Sequence, residues 1–137
     1  MESEAVRQFF GERDRLAKRL GFTLGEVRKG FARAEVELAD QHLNSAGSVH
    51  GGTLFSLADL AFGAAANSHG SVALAVSASI SFVKAVRSGR LIAEAREVSL
   101  GRKIATYVAE IRDGENDIVA LFQGTVYRKK DRLEDLT

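Results

Sequence analysis

The sequence predicts an α+β fold in which an antiparallel sheet of five or six strands wraps around one long central helix, with a second helix at the N-terminus. The segment Thr53–Asn67 has few helix breakers and is apolar on nearly every side, so it predicts a helix that other elements must cover. Runs with strand periodicity follow it at hairpin spacing and supply that cover. The chain has 137 residues, and we expect residues 1–137 to form a single domain.

The elements before the central helix are predicted from charge and periodicity. Residues 3–20 carry a stripe of apolar side chains among dense charges, which is typical of a surface helix. Two short strands, Phe22–Lys29 and Phe31–Leu38, are expected to turn near Gly30. Residues 39–50 are polar and have no sustained period, so they predict a loop.

The segment after the central helix predicts the rest of the sheet. Val72–Val86 alternates over an unusually long run, and we expect its apolar side chains to share one face while Ser77, Ser79 and Ser81 share the other. Residues 129–137 form a charged tail that we expect to fray. Three more strands are expected at Leu91–Leu100, Lys103–Arg112 and Ile118–Arg128.

Composition excludes several classes of function. Nineteen Lys and Arg against eighteen Asp and Glu leave a net charge of +1, which excludes a strongly basic nucleic-acid binder of the ordinary kind. Cysteine is absent, so disulfide frameworks, thiolate catalysis and cysteine zinc sites are excluded. The chain opens with dense charge and has no apolar run that would predict a signal peptide or a membrane span. We expect a cytoplasmic protein.

Asp59 is the one charged side chain within residues 51–68, a range that includes the predicted helix. No Lys, Arg or His stands three or four positions away to pair with it. Burying an ionised carboxylate without a partner costs several kcal/mol, and desolvation raises its pKa toward a useful range for a base. Asp59 is therefore a candidate catalytic residue. The alternative is that it points to solvent on a narrow polar edge with Ser56, or caps a backbone group.

The entrance to the same helix supplies a complementary feature. His50, Gly51 and Gly52 precede Thr53, so the first turn presents unpaired N–H groups with no side chain in the way. Together with the helix dipole, these groups favour negative charge such as the oxyanion of an attacked carbonyl. The alternative is a plain glycine N-terminus that allows close packing.

These two features cannot serve one reaction centre within a single chain. Gly51 and Asp59 are eight residues apart, and this is about 12 Å along a helix axis. If both act, the carboxylate must come from a second copy lying antiparallel to the first, as in a two-fold dimer with two equivalent sites. The small hydroxyl-bearing residues Ser77, Ser79 and Ser81 are compatible with strands that meet closely in such a dimer.

Other familiar chemistries lack their sequence patterns. His42, His50 and His69 have no metal-ligand spacing, so no metal site is expected. We expect His42 to be structural or a helper in the loop, and His69 to interact with the helix C-terminus. Neither a G-x-S-x-G nucleophile elbow nor a phosphate-binding G-x-x-x-x-G-K-[ST] loop occurs.

A set of short motifs is spread over roughly residues 20–128 of the sequence. They are His42-Leu43-Asn44 with Gly47, His50-Gly51-Gly52, Phe55-Ser56-Leu57-Ala58-Asp59-x-Ala61-Phe62, Asn67-Ser68, Ser77-x-Ser79-x-x-Phe82, Gly89, Glu97, Gly101, Tyr107 and Phe122-x-Gly124-x-Val126-Tyr127. The most specific element is the His-Gly-Gly group with Asp59 nine positions after its histidine. Through these residues the sequence resembles the phenylacetate-degradation branch of the hotdog-fold acyl-CoA thioesterases.

The resemblance implies a hotdog fold, dimers that pair into tetramers, and hydrolysis of acyl-CoA thioesters without a metal or organic cofactor. It assigns Asp59 as the catalytic carboxylate, either general base or nucleophile, and Gly51 as the residue whose N–H polarises the thioester carbonyl from the other subunit. It places Asn44 and His50 beside that carbonyl, also in the opposite subunit. Ser77 is implied to help hold the water.

We therefore expect a homo-oligomeric enzyme that hydrolyses an aryl- or medium-chain acyl-CoA, such as phenylacetyl-CoA, to the free acid and CoA. Arg102 and Lys103, after the Gly101 turn, are candidate contacts for the CoA phosphates, although charged strand ends also serve to protect sheet edges. Two alternatives stay open. One is a hydroxyacyl-thioester dehydratase of the same fold that uses a catalytic His, and the other is a non-catalytic acyl-CoA-binding oligomer.

Overall fold

The computed structural model describes residues 2–136. Three α-helices and six β-strands lie in this part of the chain. In chain order they are α1 (Ser3–Arg13), α2 (Arg15–Arg19), β1 (Thr23–Arg28), β2 (Phe31–Glu37), α3 (Gly51–Ala66), β3 (Ser71–Phe82), β4 (Arg90–Leu100), β5 (Ile104–Arg112) and β6 (Ile118–Arg132). Short 3-10 turns lie at Asp40–His42 and Leu133–Leu136. Among residues 2–136, no helix has the length and apolar character needed to cross a membrane.

The strands form one antiparallel sheet in the order β1-β2-β4-β5-β6-β3, and α3 packs against its inner face. The predicted sheet around a central helix is confirmed, with six strands. Small residues on the inner face let the helix approach closely, because a bulkier side chain there would displace it. At Gly124 a Cβ would come within 2.6 Å of the Phe62 ring, so this position needs glycine.

The predicted N-terminal helix over residues 3–20 is interrupted at Asp14. Asp14 has extended backbone angles, and its side chain accepts a hydrogen bond from the Ala17 N–H at 3.0 Å. Aspartate favours this N-cap position over a helix interior, and α2 therefore begins anew at Arg15.

The strand predicted at Val72–Val86 is shorter than expected, because β3 ends at Phe82. Its pairing with β6 also shifts register between Ala75 and Ser77, so the single apolar face predicted for this strand is wrong. The bulge adds one residue and reverses which side chains point outward. Leu74, 53% exposed, consequently lies on the outer face of the sheet, and Val76 at the bulge is 60% exposed.

The prediction that the charged C-terminal tail frays is wrong for residues 129–136, which form the end of β6 and a 3-10 turn. Strand β6 continues to Arg132, and the turn that follows buries Leu133, which is 2% exposed. The Leu133 N–H donates to the Gly70 carbonyl at 3.0 Å, so this segment packs beside the C-terminal end of α3. Thr137, the last residue of the predicted tail, lies outside the described residues.

Candidate active site

The N-terminus of α3 presents an unused backbone donor. His50 is the N-cap residue, and its Nδ1 accepts a hydrogen bond from the Gly52 N–H at 2.8 Å. The ring therefore carries its proton on Nε2, which makes Nε2–H a second donor at this helix end. Within residues 2–136, the Gly51 N–H has no hydrogen-bond partner. An orphan N–H at a helix N-terminus is suited to stabilise an oxyanion.

The preceding loop is fixed by His42, which is buried. Its Nδ1 accepts from the Ala39 N–H at 2.9 Å, and its Nε2 donates to the Leu20 carbonyl at 2.6 Å. The His42 carbonyl in turn accepts from the His50 N–H at 2.8 Å and from the Thr53 hydroxyl at 3.1 Å. His42 is thus a structural residue that holds the entrance of α3 in place.

A cleft of about 390 Å³ opens beside this helix end. Gly51, Asn44 and Phe82 contribute to its lining. The Asn44 Oδ1 accepts from the Ala46 N–H at 2.9 Å and the Ser48 N–H at 3.1 Å, and this pairing orients the side-chain amide. Its Nδ2 has no partner among the described residues. The cleft therefore contains a free side-chain donor next to the free Gly51 N–H.

Asp59 lies two turns along α3 from Gly51. Partial burial raises the pKa of its carboxyl above the ordinary value, and the negative charge of Asp14 raises it further. No cation or hydrogen-bond donor in the described part of the chain contacts this carboxylate. An unpaired carboxylate with a raised pKa is a better base than an ordinary surface aspartate.

One stripe of α3 is not covered by the rest of the chain. The sequence predicts burial on all sides, but Asp59 as a whole residue is solvent-exposed in the single chain, although neighbouring atoms partly desolvate its carboxyl group. Phe55, one turn earlier, is 37% exposed. The sheet covers only the opposite side of the helix, while α1 reaches the stripe at Gly63 through the Phe10 ring. The expectation that Asp59 is buried within its own chain is therefore wrong.

The predicted site residues fall into two groups. Asn44, His50 and Gly51 lie together at the entrance of α3. Asp59 lies on the same helix, and the eight-residue separation from Gly51 is about 12 Å. One chain does not bring these groups together.

Three other predicted residues lie away from the cleft. Ser77 pairs with Thr125 on the outer face of the sheet, opposite α3, so its placement does not support a role in holding water against Asp59. Arg102 and Lys103 lie in the β4–β5 turn, where the Lys103 carbonyl accepts from the Arg128 N–H at 2.6 Å. The cleft borders Phe82, which pairs with Ala120 at the other end of β6. The eight residues between Ala120 and Arg128 span about 26 Å of strand.

Arg87 is a candidate that sequence reasoning did not single out from other basic residues. Its guanidinium donates to the carbonyls of Ala46 at 3.2 Å and Gly47 at 3.4 Å, at the loop that borders the cleft. Among residues 2–136 no carboxylate pairs with it. Lys84, which also lines the cleft, is instead held by Asp113 at 2.6 Å and Asp117 at 2.9 Å, and these hydrogen bonds raise its pKa. Only tertiary contacts distinguish the two cations.

His69 belongs to a different region. Its Nε2 contacts a Glu97 oxygen at 2.8 Å, and the same oxygen accepts from the Tyr107 hydroxyl at 2.7 Å. These bonds lower the pKa of Glu97 although partial burial opposes them. The cluster lies just after the C-terminal end of α3, whereas the cleft lies at its N-terminal end.

Residues 46–120 match the family model described as the thioesterase superfamily. The chain belongs to the thioesterase superfamily. It is a thioester hydrolase, as its sequence predicts. A putative esterase of Archaeoglobus fulgidus is 46% identical over 126 residues, which cover 91% of this chain and 82% of the relative.

The acyl-coenzyme A thioesterase PaaI of Escherichia coli is 39% identical over 118 residues, covering 85% of this thioesterase and 84% of the relative. The solved structure of the E. coli PaaI protein from the phenylacetic acid degradation operon superimposes with a TM-score of 0.91, at 34% identity and with 95% of each chain covered. The TT0310 protein of Thermus thermophilus gives a TM-score of 0.82 at 39% identity, covering 85% of this chain and 99% of that one. These similarities confirm the hotdog fold and the predicted branch.

Proposed function

We propose that this thioester hydrolase cleaves acyl-CoA thioesters with an aryl or medium-chain acyl group, such as phenylacetyl-CoA, to the free acid and CoA. The observation that carries the proposal is that α3 presents two unsatisfied groups, the Gly51 N–H beside the cleft and the Asp59 carboxylate. Hydrolysis of a thioester requires an oxyanion donor and a base or nucleophile of this kind. The similarity to an E. coli acyl-CoA thioesterase supports CoA as the leaving group.

The proposed active site is shared between two subunits. Strand β3 is an edge strand, and its residues Val76 and Phe82 are exposed. Phe55 on the uncovered stripe of α3 is exposed as well. A long apolar edge strand is a ready surface for pairing with another chain. We infer a two-fold dimer in which the α3 helices lie antiparallel and Asp59 of the partner subunit faces Gly51. Pairing of these dimers into a tetramer is part of the same proposal.

The reaction then follows from the positions of these groups. The thioester carbonyl oxygen accepts hydrogen bonds from the Gly51 N–H and from the Asn44 amide, with His50 Nε2–H beside them. In the general-base form, Asp59 of the partner subunit takes a proton from a water molecule while the oxygen of that water attacks the carbonyl carbon. The oxyanion collapses, the C–S bond breaks, and the proton passes to the CoA sulfur. In the nucleophile form, the carboxylate attacks the carbonyl carbon, the C–S bond breaks and the CoA thiolate leaves and takes up a proton. Water then hydrolyses the mixed anhydride to the free acid and regenerates the Asp59 carboxylate. Ser77 takes no part, because it faces the other side of the sheet.

Binding of the CoA phosphates is proposed for Arg87, whose charge has no carboxylate partner at the rim of the cleft. Arg pairs well with phosphate oxygens. Arg102 and Lys103 stay predictions, and they reach this cleft only if they come from the partner subunit. A cytoplasmic location also stays part of the proposal, and cell fractionation tests it.

A thiol-release assay over aryl, short, medium and long acyl-CoAs tests the proposed function. We expect free thiol from phenylacetyl- and medium-chain acyl-CoA, and loss of nearly all turnover in Asp59→Asn with the oligomer intact. Wild-type turnover in that variant contradicts the assignment. Water loss from a hydroxyacyl-CoA without thiol release indicates the dehydratase, a reaction for which His50 is poorly placed because its Nδ1 is occupied by the Gly52 N–H. Saturable binding without any product indicates the non-catalytic alternative.

A further inference from the structure

Helix α1 meets the otherwise uncovered stripe of α3 at its Gly63 end, one turn from Asp59. A Cβ on Gly63, one turn after Asp59, would lie 3.6 Å from the Phe10 ring of α1. Asp14, at the junction of α1 and α2, is close enough for its charge to raise the pKa of Asp59. The fully buried Val6 anchors α1 to the core. The position of the Phe10 ring against Gly63 therefore places the end of α1 one helical turn from the candidate catalytic carboxylate.

In the proposed dimer, this surface faces the partner's cleft. Antiparallel α3 helices that bring the partner's Gly51 next to Asp59 also direct the partner's loop and cleft past Asp59 toward Gly63. The stripe from Asp59 to Gly63 then forms one wall of the space that receives the thioester. The Phe10 ring stands at the end of that wall.

The two ends of an acyl-CoA are expected to separate across this space. Its phosphates are attracted to the Arg87 guanidinium at the rim of the cleft. Its acyl group is apolar and favours the surface offered by Phe10, Gly63 and the exposed ring of Phe55. Because the Phe10 ring lies at contact distance from the position of a Gly63 side chain, the acyl group can extend along α3 from Asp59 only as far as this ring.

We propose that Phe10 closes the far end of the acyl-binding site and limits the length of the acyl group that the enzyme accepts. This inference rests on the proposed function and goes beyond it, since it assigns chain-length selection to α1. Helix α1 lies outside residues 46–120, the part of the chain that matches the family model.

The test compares kcat/KM for butanoyl-, octanoyl-, phenylacetyl- and dodecanoyl-CoA in the wild type and in Phe10→Ala. Removing the ring is expected to raise the dodecanoyl-to-octanoyl ratio by at least about tenfold, since each methylene accommodated in an apolar pocket changes kcat/KM strongly. Phe9→Ala is the control for a loosened α1, because the Phe9 ring packs edge-on against the Phe10 ring, with centroids 5.5 Å apart, but does not reach Gly63. We expect its ratio to change much less than that of Phe10→Ala.

Gly63→Ala keeps the test informative if Phe10→Ala does not fold. The added methyl group meets Phe10 at ordinary contact distance and favours the helix, so the thermal midpoint is expected to rise. The same methyl group takes up space that the acyl group would occupy in front of Phe10, so the dodecanoyl-to-octanoyl ratio is expected to fall. A merely structural role for this contact predicts no change in the ratio.

The failures of the two proposals are distinguishable. Absence of thiol release from every acyl-CoA with the wild type contradicts the proposed function. Thiol release with the same length profile in the wild type, Phe10→Ala and Gly63→Ala contradicts the role of Phe10 alone. An equal change in Phe9→Ala and Phe10→Ala also contradicts it, because the effect then comes from a loosened α1.

Discussion

At the scale of single residues, the proposed chemistry of this thioesterase depends on groups that lack partners. The Asp59 carboxylate has neither a cation nor a donor among the described residues, and burial together with Asp14 raises its pKa. The Gly51 N–H is free because His50 has taken the neighbouring Gly52 N–H. A fold that leaves both groups unsatisfied pays in stability for reactivity.

The pH dependence of activity follows from the raised pKa of Asp59. Activity that needs the carboxylate falls as pH drops through that raised pKa. Asp14→Asn removes the smaller of the two causes, so the pKa falls and the acid limb of the kcat/KM profile moves to lower pH. Desolvation, the larger cause of the raised pKa, is unchanged in Asp14→Asn, so we expect only a small movement of the acid limb. A pH–rate profile measures it.

Two features of that experiment separate charge from structure. Asparagine caps a helix as well as aspartate does, so the thermal midpoint of Asp14→Asn is expected to match the wild type. Glu12→Gln removes a carboxylate of the same charge that does not affect Asp59. An equal movement of the acid limb in Glu12→Gln, or no movement in Asp14→Asn, contradicts the claim that the Asp14 charge raises the pKa of Asp59.

At the scale of elements, α3 is held at its C-terminal end by one buried side chain. The Asn67 Nδ2 donates to the carbonyls of Gly63 at 2.8 Å and Ala73 at 3.1 Å, and its Oδ1 accepts from the Ala73 N–H at 2.8 Å. The Asn67 amide therefore links the last turn of α3 to the beginning of β3 by hydrogen bonds. Because β3 borders the cleft at its far end, the connection sets how α3 and the edge strand are aligned.

Replacing Asn67 with alanine is expected to lower the free energy of unfolding by about 1–3 kcal/mol, since the buried Ala73 N–H and carbonyl lose their side-chain partner. Urea denaturation followed by circular dichroism measures the change. Gln8→Ala is the control, because it removes an exposed amide from α1 that has no partner among the described residues. Equal stability of the two variants contradicts the role given to Asn67.

At the scale of the whole molecule, the proposed active site is complete only where two chains meet. Gly51→Pro removes the proposed oxyanion donor and fits the helix backbone, because proline suits the first helical position and His50 before it is extended at φ −68° and ψ 136°. A Cβ at position 51 would lie 3.1 Å from the Phe82 ring, so this exposed ring must shift to make room. Its turnover is expected to fall by roughly 10²–10³. Asp59→Asn removes the other group.

Mixing these two inactive variants tests the shared site. Unfolding and refolding an equimolar mixture yields heterodimers in which one of two sites keeps both wild-type residues, so about a quarter of wild-type activity is expected. Each variant refolded alone is the control. Absence of recovery in a mixture that sedimentation shows to contain dimers contradicts a site built from two chains.

The sequence by itself determined the elements and the candidate groups at the ends of α3, because periodicity, glycine positions and the lone charge of Asp59 are local properties. Tertiary structure alone decided which stripe of α3 stays uncovered, and it placed Asp14 and Phe10 beside that stripe. It also turned Leu74 outward through a bulge, paired Lys84 with carboxylates, and left Arg87 without a carboxylate partner beside the loop that borders the cleft. These outcomes depend on contacts between residues far apart in the chain, and no local pattern records such contacts.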